Sequence, residues 1–177
     1  MLNATLCKDA QSGDGKQQVL LILLWIALST GWFVSIFSVI QEMCMVSACR
    51  DTAGFTIFGL NMGWFGIAYF SLILVVLWLR KKDYRLDLLF AALVFSGVGA
   101  ELRLLWIQKF IIRGWCPLCV TIFCALFCAT LLLVVEKMRD TAAGKGASQG
   151  MLGWLALAMA MAANGLAVAI VGVKALY

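Results

Sequence analysis

The chain has 177 residues, of which 64% are hydrophobic and only 13% are charged. A soluble globular domain is about half apolar and a quarter charged, so the composition excludes that class and predicts an all-α integral membrane protein. The net charge of +5 is typical of basic cytoplasmic loops and does not indicate a nucleic-acid partner. Histidine is absent, which removes the commonest general base and zinc ligand and leaves the chemistry to sulfur and carboxylate.

Five apolar runs follow one another along the chain, each long enough to be weighed as a membrane span. The polar residues 1–17 predict a short, flexible cytoplasmic tail. Residues 18–176 predict a single transmembrane domain. Its spans are expected at about 18–41, 61–79, 86–110, 115–135 and 151–173.

Basic residues indicate the orientation of these spans, because cytoplasmic loops are enriched in lysine and arginine. The connection 80–85 contains four of them in six residues and is the clearest cytoplasmic marker. A cytoplasmic N-terminus leaves five basic residues outside and nine inside. The nine are Lys8, Lys16, Arg80, Lys81, Lys82, Arg85, Lys137, Arg139 and Lys145.

Four of the seven cysteines form two pairs at span ends on the same predicted side, the non-cytoplasmic one, where disulfides persist. Cys44 and Cys49 lie in the first connection, and Cys116 and Cys119 form a C-x-x-C motif where the fourth span begins. Pro117 is expected as the first helical residue, and the helix dipole there favours a thiolate. Two such pairs have the parts of a thiol–disulfide relay. For the loop pair, a static disulfide is the alternative.

A relay needs a two-electron acceptor, and without histidine or a haem or flavin motif the natural acceptor in a bilayer is a quinone. Glu101 is a candidate polar group inside the third span, because ionisable residues within a membrane are costly, although it is only interfacial if that span ends early. Cys124 and Cys128, deeper in the fourth span, are expected to be small packing residues. No metal site is predicted.

The run Trp106–Val120 contains the C-x-x-C motif, and the run Phe58–Phe70 reads FGLNMGWFGIAYF. The first resembles the junction between the third and fourth helices of bacterial vitamin K epoxide reductase homologues. The second is similar to the loop exit and second helix of that family. Together with the loop cysteine pair, the resemblance covers roughly residues 18–135 and includes no fused thioredoxin domain.

The resemblance implies a four-helix transmembrane bundle around a quinone, with a fifth C-terminal transmembrane helix appended. It implies a thiol:quinone oxidoreductase of the bacterial inner membrane, with the cysteine pairs on the periplasmic side, ubiquinone or menaquinone as acceptor and a separate thioredoxin-fold protein as partner. Cys119 is then expected beside the quinone with Cys116 as its exchange partner. Cys49 would shuttle to Cys116, and Cys44 would meet the external dithiol.

The expected quinone contacts are Asn61, Phe123 and Glu101, and the first two depart from the family pattern. Asn61 ends a Gly-Leu-Asn sequence where bacterial members often carry Gly-Ile-Pro, and it is out of register with the asparagine that binds the quinone in animal members. Phe123 stands where animal enzymes carry tyrosine. The loop cysteines are also closer together than the family leads one to expect.

Three alternatives stay open. A second family of quinone-linked bacterial disulfide oxidases also has four helices and two cysteine pairs, but its C-x-x-C motif follows the first span. A soft-metal transporter of the mercury type could use the same thiols, and Met43 and Met45 flank Cys44. Reduction of a quinone or an epoxide as the main purpose would use the same site.

Overall fold

The computed structural model describes residues 2–43, 55–57, 60–80, 84–142 and 148–175. Within these ranges it forms five α-helices, one π-helical turn and three short strands. The helices are α1 (Leu2–Met43), α2 (Met62–Leu79), α3 (Tyr84–Ile107), α4 (Pro117–Ala142) and α5 (Ser148–Gly172), and the π-helical turn Gln108–Ile112 follows α3. The strands are β1 (Phe55–Ile57), β2 (Leu60–Asn61) and β3 (Val173–Ala175).

Four of these helices are long and apolar enough to cross a membrane. The stretches concerned are Gln18–Gln41 in α1, Arg85–Ile111 in α3 and its continuation, Pro117–Arg139 in α4 and Leu152–Gly172 in α5. The apolar part of α2, Gly63–Leu79, is shorter. The prediction of a helical, multi-pass membrane protein is confirmed at this level.

The outer surface of the helices is apolar, as expected when the solvent is lipid. Large side chains such as Phe33, Trp78, Leu131 and Val171 are exposed, Val171 by 72% of its surface. In water such a continuous apolar surface would drive aggregation, whereas hydrocarbon solvates it without cost.

The four helices α1 to α4 share one core. Each contributes fully buried apolar residues to it, among them Leu28 from α1, Phe70 from α2, Phe90 from α3 and Leu126 from α4. A shared core of this kind fixes the four helices relative to one another, because each side chain packs against neighbours from other helices. The cysteine motif at the start of α4 is therefore attached to a rigid bundle.

Helix α5 packs beside α3 through small residues rather than through this core. A Cβ atom on Gly99 would collide with the backbone oxygen of Ala162, and one on Gly165 would collide with the backbone oxygen of Ser96. Glycine at these two positions lets the backbones approach closely, which is how helices associate where no hydrophobic effect drives them together.

A flexible tail was expected over residues 1–17, whereas α1 begins at Leu2, so the described backbone is helical from that residue on. A helix that is already nucleated gains one hydrogen bond for each residue added, and the only proline in the chain is Pro117. The long apolar helix therefore continues towards the N-terminus.

A small antiparallel sheet was not predicted from the sequence. Its strand order is β2-β1-β3, with Thr56 opposite Asn61 on one side and opposite Lys174 on the other. Strands of two or three residues have no readable alternation, so sequence periodicity does not reveal them. The sheet ties the connection before α2 to the segment that follows α5.

Candidate functional site

The junction between α3 and α4 places the C-x-x-C motif directly at a helix start. Arg113 adopts a left-handed conformation with φ 56° and ψ 27°, and its N–H donates to the backbone oxygen of Gln108. The N–H of Gly114 donates to the same oxygen at 3.2 Å. Pro117 is the first residue of α4 and Cys116 precedes it, as the sequence predicted. The N–H of Val120 donates to the oxygen of Cys116 at 3.2 Å, which closes the first turn.

Gln108 connects the end of α3 to the C-x-x-C motif, although nothing in the sequence singles it out. Its side chain is 2% exposed, and its Oε1 accepts a hydrogen bond of 3.3 Å from the N–H of Cys116. The same side chain also lies close enough to the Cys119 thiol to interact with it. The π-helical turn begins at this residue, and such turns are frequent at functional sites.

The two cysteines of the motif are in different chemical states. Cys116 is buried and disulfide-bonded. Cys119 is half-buried and free, as are the exposed Cys124 and Cys128. The partner of Cys116 is therefore none of the other cysteines whose side chains are described. Cys44 and Cys49, the predicted loop pair, lie outside the described residues.

Cys124 and Cys128 lie on the exposed face of α4, so the expectation that they pack between helices is wrong. Both follow the motif by helical steps that turn them away from the bundle. Neither one contributes to the group of polar side chains around Cys119.

Glu101 lies inside the bundle, near the free thiol. It is in α3, six residues before the end of that helix, which is about 9 Å along its axis. Its Oε2 atom is buried and has no hydrogen-bond partner among the described residues. The carboxyl group lies near enough to act electrostatically on both the Cys119 thiol and the Tyr69 hydroxyl. The side chains of Tyr69, Glu101, Gln108 and Cys119 form what we call the inner polar cluster.

Tyr69 of α2 also belongs to this cluster and was not predicted from the sequence. Its hydroxyl donates a hydrogen bond of 2.7 Å to the backbone oxygen of Leu93 in α3. A Cβ atom on Gly97 would collide with the same hydroxyl, so glycine at that position gives the tyrosine its place. A tyrosine in a run of apolar residues was the available signal, because a buried phenol needs a hydrogen-bond partner.

Of the other two predicted quinone contacts, the structure describes the side chain of Phe123 but not that of Asn61. Phe123 follows Cys119 by one helical turn, is half-buried and stacks on Phe127 with ring centroids 5.9 Å apart. Asn61 is the last residue of β2, immediately before α2, and its side chain lies outside the described part of the structure.

Aromatic and basic side chains surround this end of the bundle. The guanidinium of Arg103 lies 4.5 Å from the centre of the Trp106 ring, and Lys109 lies 5.5 Å from that of Phe110. Trp115, next to the motif, is 62% exposed. Exposed aromatic rings beside cations are typical of the membrane–water interface, and the arrangement is the one expected of side chains at head-group level.

Compared with known proteins, the chain matches no family model and no curated protein. Among the described residues, no group of three or more histidine, cysteine, aspartate or glutamate side chains could hold a metal ion. The features that bear on function are therefore the state of the cysteines and the inner polar cluster.

Proposed function

We propose that the chain is a membrane thiol:quinone oxidoreductase, which generates disulfides in an extracytoplasmic thioredoxin-fold partner and passes the electrons to a bilayer quinone. One observation carries the proposal: Cys116 is disulfide-bonded to a cysteine other than Cys119, while Cys119 is free beside it. A structural C-x-x-C disulfide would join the two residues of the motif. The observed combination is the state expected halfway through a relay.

In the proposed cycle, the Cys49 thiol attacks Cys116 of a Cys116–Cys119 disulfide, so that a Cys49–Cys116 bond forms and Cys119 leaves as a thiol with the proton that Cys49 loses. Cys44 then attacks Cys49, which closes the loop disulfide and releases Cys116 as a thiol. The loop disulfide oxidises the external dithiol and is itself reduced. Two electrons and two protons leave Cys116 and Cys119 when these sulfurs form their disulfide again.

A quinone supplies the chemistry that this cycle needs, because it takes up two electrons and two protons when it is reduced to a hydroquinone. The residues of the chain fit such a group: Cys119 is half-buried at the bundle interior, and the buried Oε2 atom of Glu101 has no partner within the described residues. Glu101 and Phe123 would hold it, with Asn61 as a further contact. Ubiquinone and menaquinone satisfy these requirements equally.

The proposal includes a fifth crossing of the membrane by α2. This helix has 18 residues, about 27 Å at 1.5 Å per residue, which is close to the thickness of the hydrocarbon core. Its residues Phe70 and Ile73 are buried in the core that it shares with α1, α3 and α4. Together with the distribution of basic residues, five crossings support the proposal that the cysteine pairs face the periplasm from a bacterial inner membrane.

The soft-metal alternative predicts a different state of the cysteines. A transporter that binds its cargo through thiolates needs them reduced, whereas Cys116 is in a disulfide. Counting free thiols with and without a reductant separates the two functions. A reductant opens disulfides and so raises the number of free thiols, whereas it does not release thiolates that a metal protects. Quinone or epoxide reduction as the main purpose uses the same residues and would differ in its physiological electron donor.

The test is quinone reduction by the purified chain with a reduced thioredoxin-fold protein as electron donor. Cys116→Ala and Cys119→Ala are each expected to abolish hydroquinone formation, since either change breaks the relay. Cys124→Ala serves as the matched control, because Cys124 is a free cysteine of the same helix that faces away from the bundle. Undiminished quinone reduction in Cys119→Ala would overturn the proposed function.

A further inference from the structure

The carboxyl group of Glu101 is placed for a task that the thiol relay alone does not assign. Oxidation of the Cys116–Cys119 dithiol releases protons as well as electrons, and the chain contains no histidine to carry them. Two other carboxylates of the described bundle, Asp87 and Glu136, are paired with Arg80. Glu101 lies near the Cys119 thiol and keeps Oε2 buried without a partner among the described residues.

The neighbouring groups of the inner polar cluster are already engaged in other contacts. The Tyr69 hydroxyl donates a hydrogen bond of 2.7 Å to the backbone oxygen of Leu93, so its hydrogen is already engaged. The Gln108 amide accepts a hydrogen bond from the N–H of Cys116 and interacts with the Cys119 thiol, and an amide does not exchange protons as a carboxyl group does. Of the four groups in the cluster, the carboxyl is the one suited to take up and release a proton beside the sulfur.

We propose that Oε2 of Glu101 accepts the proton of the Cys119 thiol and releases it to an oxygen of the quinone. The inference rests on the proposed function. In this step the S–H bond of Cys119 breaks, the sulfur bonds to Cys116, and two electrons pass to the quinone. Glu101 gains and then loses one proton, so it is unchanged over the cycle. The Cys116 thiol supplies the second proton of the hydroquinone.

The decisive variant is Glu101→Gln, which keeps the shape of the side chain and removes its ability to carry a proton. Glu136→Gln is the matched control, since Glu136 is also a partly buried glutamate but lies next to Arg80. All measurements use the purified full chain.

The first readout needs no quinone. Iodoacetamide labels free thiols, and peptide mass spectrometry follows Cys119 with the exposed Cys124 as internal reference. Labelling is carried out at about pH 9, where an ionised carboxylate opposes a second negative charge on a nearby sulfur, so Glu101→Gln is expected to label Cys119 about tenfold faster. Glu136→Gln should leave the rate unchanged. The second readout is the turnover of quinone reduction, which Glu101→Gln is expected to slow about 100-fold.

Faster labelling together with slower turnover is the expected result, because a group that acted through charge alone would change both rates in the same direction. Unchanged labelling, unchanged turnover or an increase in both overturns the role of Glu101. Cys119→Ala is measured in parallel: if it abolishes turnover while Glu101→Gln retains it, only this inference fails. If Glu101→Gln does not fold, Glu101→Asp retains the carboxyl group and is expected to keep at least about a tenth of the turnover.

Discussion

Both ends of the bundle contain carboxyl groups among apolar helices, but within the described residues these groups are ion-paired at one end and unpaired at the other. At the Arg80 end, Arg80 follows α2, with its Nε 3.0 Å from Oδ1 of Asp87 in α3 and its Nη2 2.7 Å from Oε1 of Glu136 in α4. Its guanidinium also lies 5.2 Å from the centre of the Phe90 ring. At the cysteine end, Glu101 has neither an ion pair nor a hydrogen bond to another described side chain.

The difference separates a group that holds helices together from a group that is available for chemistry. Arg80 Nη1, Glu136 Oε2 and Arg103 Nε also lack hydrogen-bond partners among the described atoms. Arg80 and Glu136 make an ion pair through other atoms, and the guanidinium of Arg103 lies over the Trp106 ring. A carboxyl group within an apolar bundle that is left without such a pair is costly, and such residues in membrane spans are usually functional. Under the proposed function, stability is therefore concentrated at one end and reactivity at the other.

The largest effect on stability is expected at the Arg80 end. Arg80→Met removes the positive charge and leaves Glu136 and Asp87 without it, so the free energy of unfolding should fall by about 2 to 4 kcal/mol. The lower part of that range reflects Asp87, whose side chain is 39% exposed. Unfolding of the detergent-solubilised chain measures the change. Arg139→Met, an exposed arginine of the same α4, is the control and should change stability by less than about 0.5 kcal/mol.

The same variant tests the separation between the two ends. Quinone reduction per folded molecule should be unchanged in Arg80→Met, because none of its contacts reaches the inner polar cluster. A loss of turnover in the folded variant, or an unfolding free energy equal to that of the wild type, would show that the two ends are not divided in this way.

A smaller effect on stability, combined with an effect on reactivity, is expected at the cysteine end. Gln108→Met keeps the length of the side chain but leaves the N–H of Cys116 without its acceptor, which should cost about 1 to 3 kcal/mol. Turnover should fall as well, since the amide no longer fixes Cys116 and Cys119 relative to α3. Gln18→Met, the same substitution at an exposed position of α1, should alter neither quantity. Reduced stability with full turnover would limit Gln108 to a structural role.

Much of the fold followed from the sequence, because long apolar runs and basic connections are strong signals in a membrane protein. The C-x-x-C motif and Pro117 predicted the start of α4 to the residue, since proline favours the first helical position. Glu101 was recognisable as a charged residue in an apolar run. These features depend on local composition, which a single sequence displays directly.

The contacts between helices could not be read in the same way. Arg80 was predicted as one basic residue of a cytoplasmic loop. The residues around it do not indicate that it pairs with Asp87 and Glu136, which lie seven and 56 positions further along the chain. The roles of Gln108 and Tyr69 depend on interactions with residues of other helices, Cys119 and Leu93 respectively. The identity of the Cys116 partner, and with it the order of the loop cysteines, depends on residues outside the described part of the chain.

The central claim is that Cys116 and Cys119 deliver electrons to a quinone, and one measurement tests it without any partner protein. The purified chain is fully reduced, freed of reductant and mixed with a quinone under anaerobic conditions, and hydroquinone and disulfides are then quantified together. We predict one hydroquinone for each disulfide formed, with Cys116 in that disulfide and no reaction in Cys119→Ala. Hydroquinone formation while Cys116 and Cys119 remain free thiols, or no hydroquinone at all, would contradict the account.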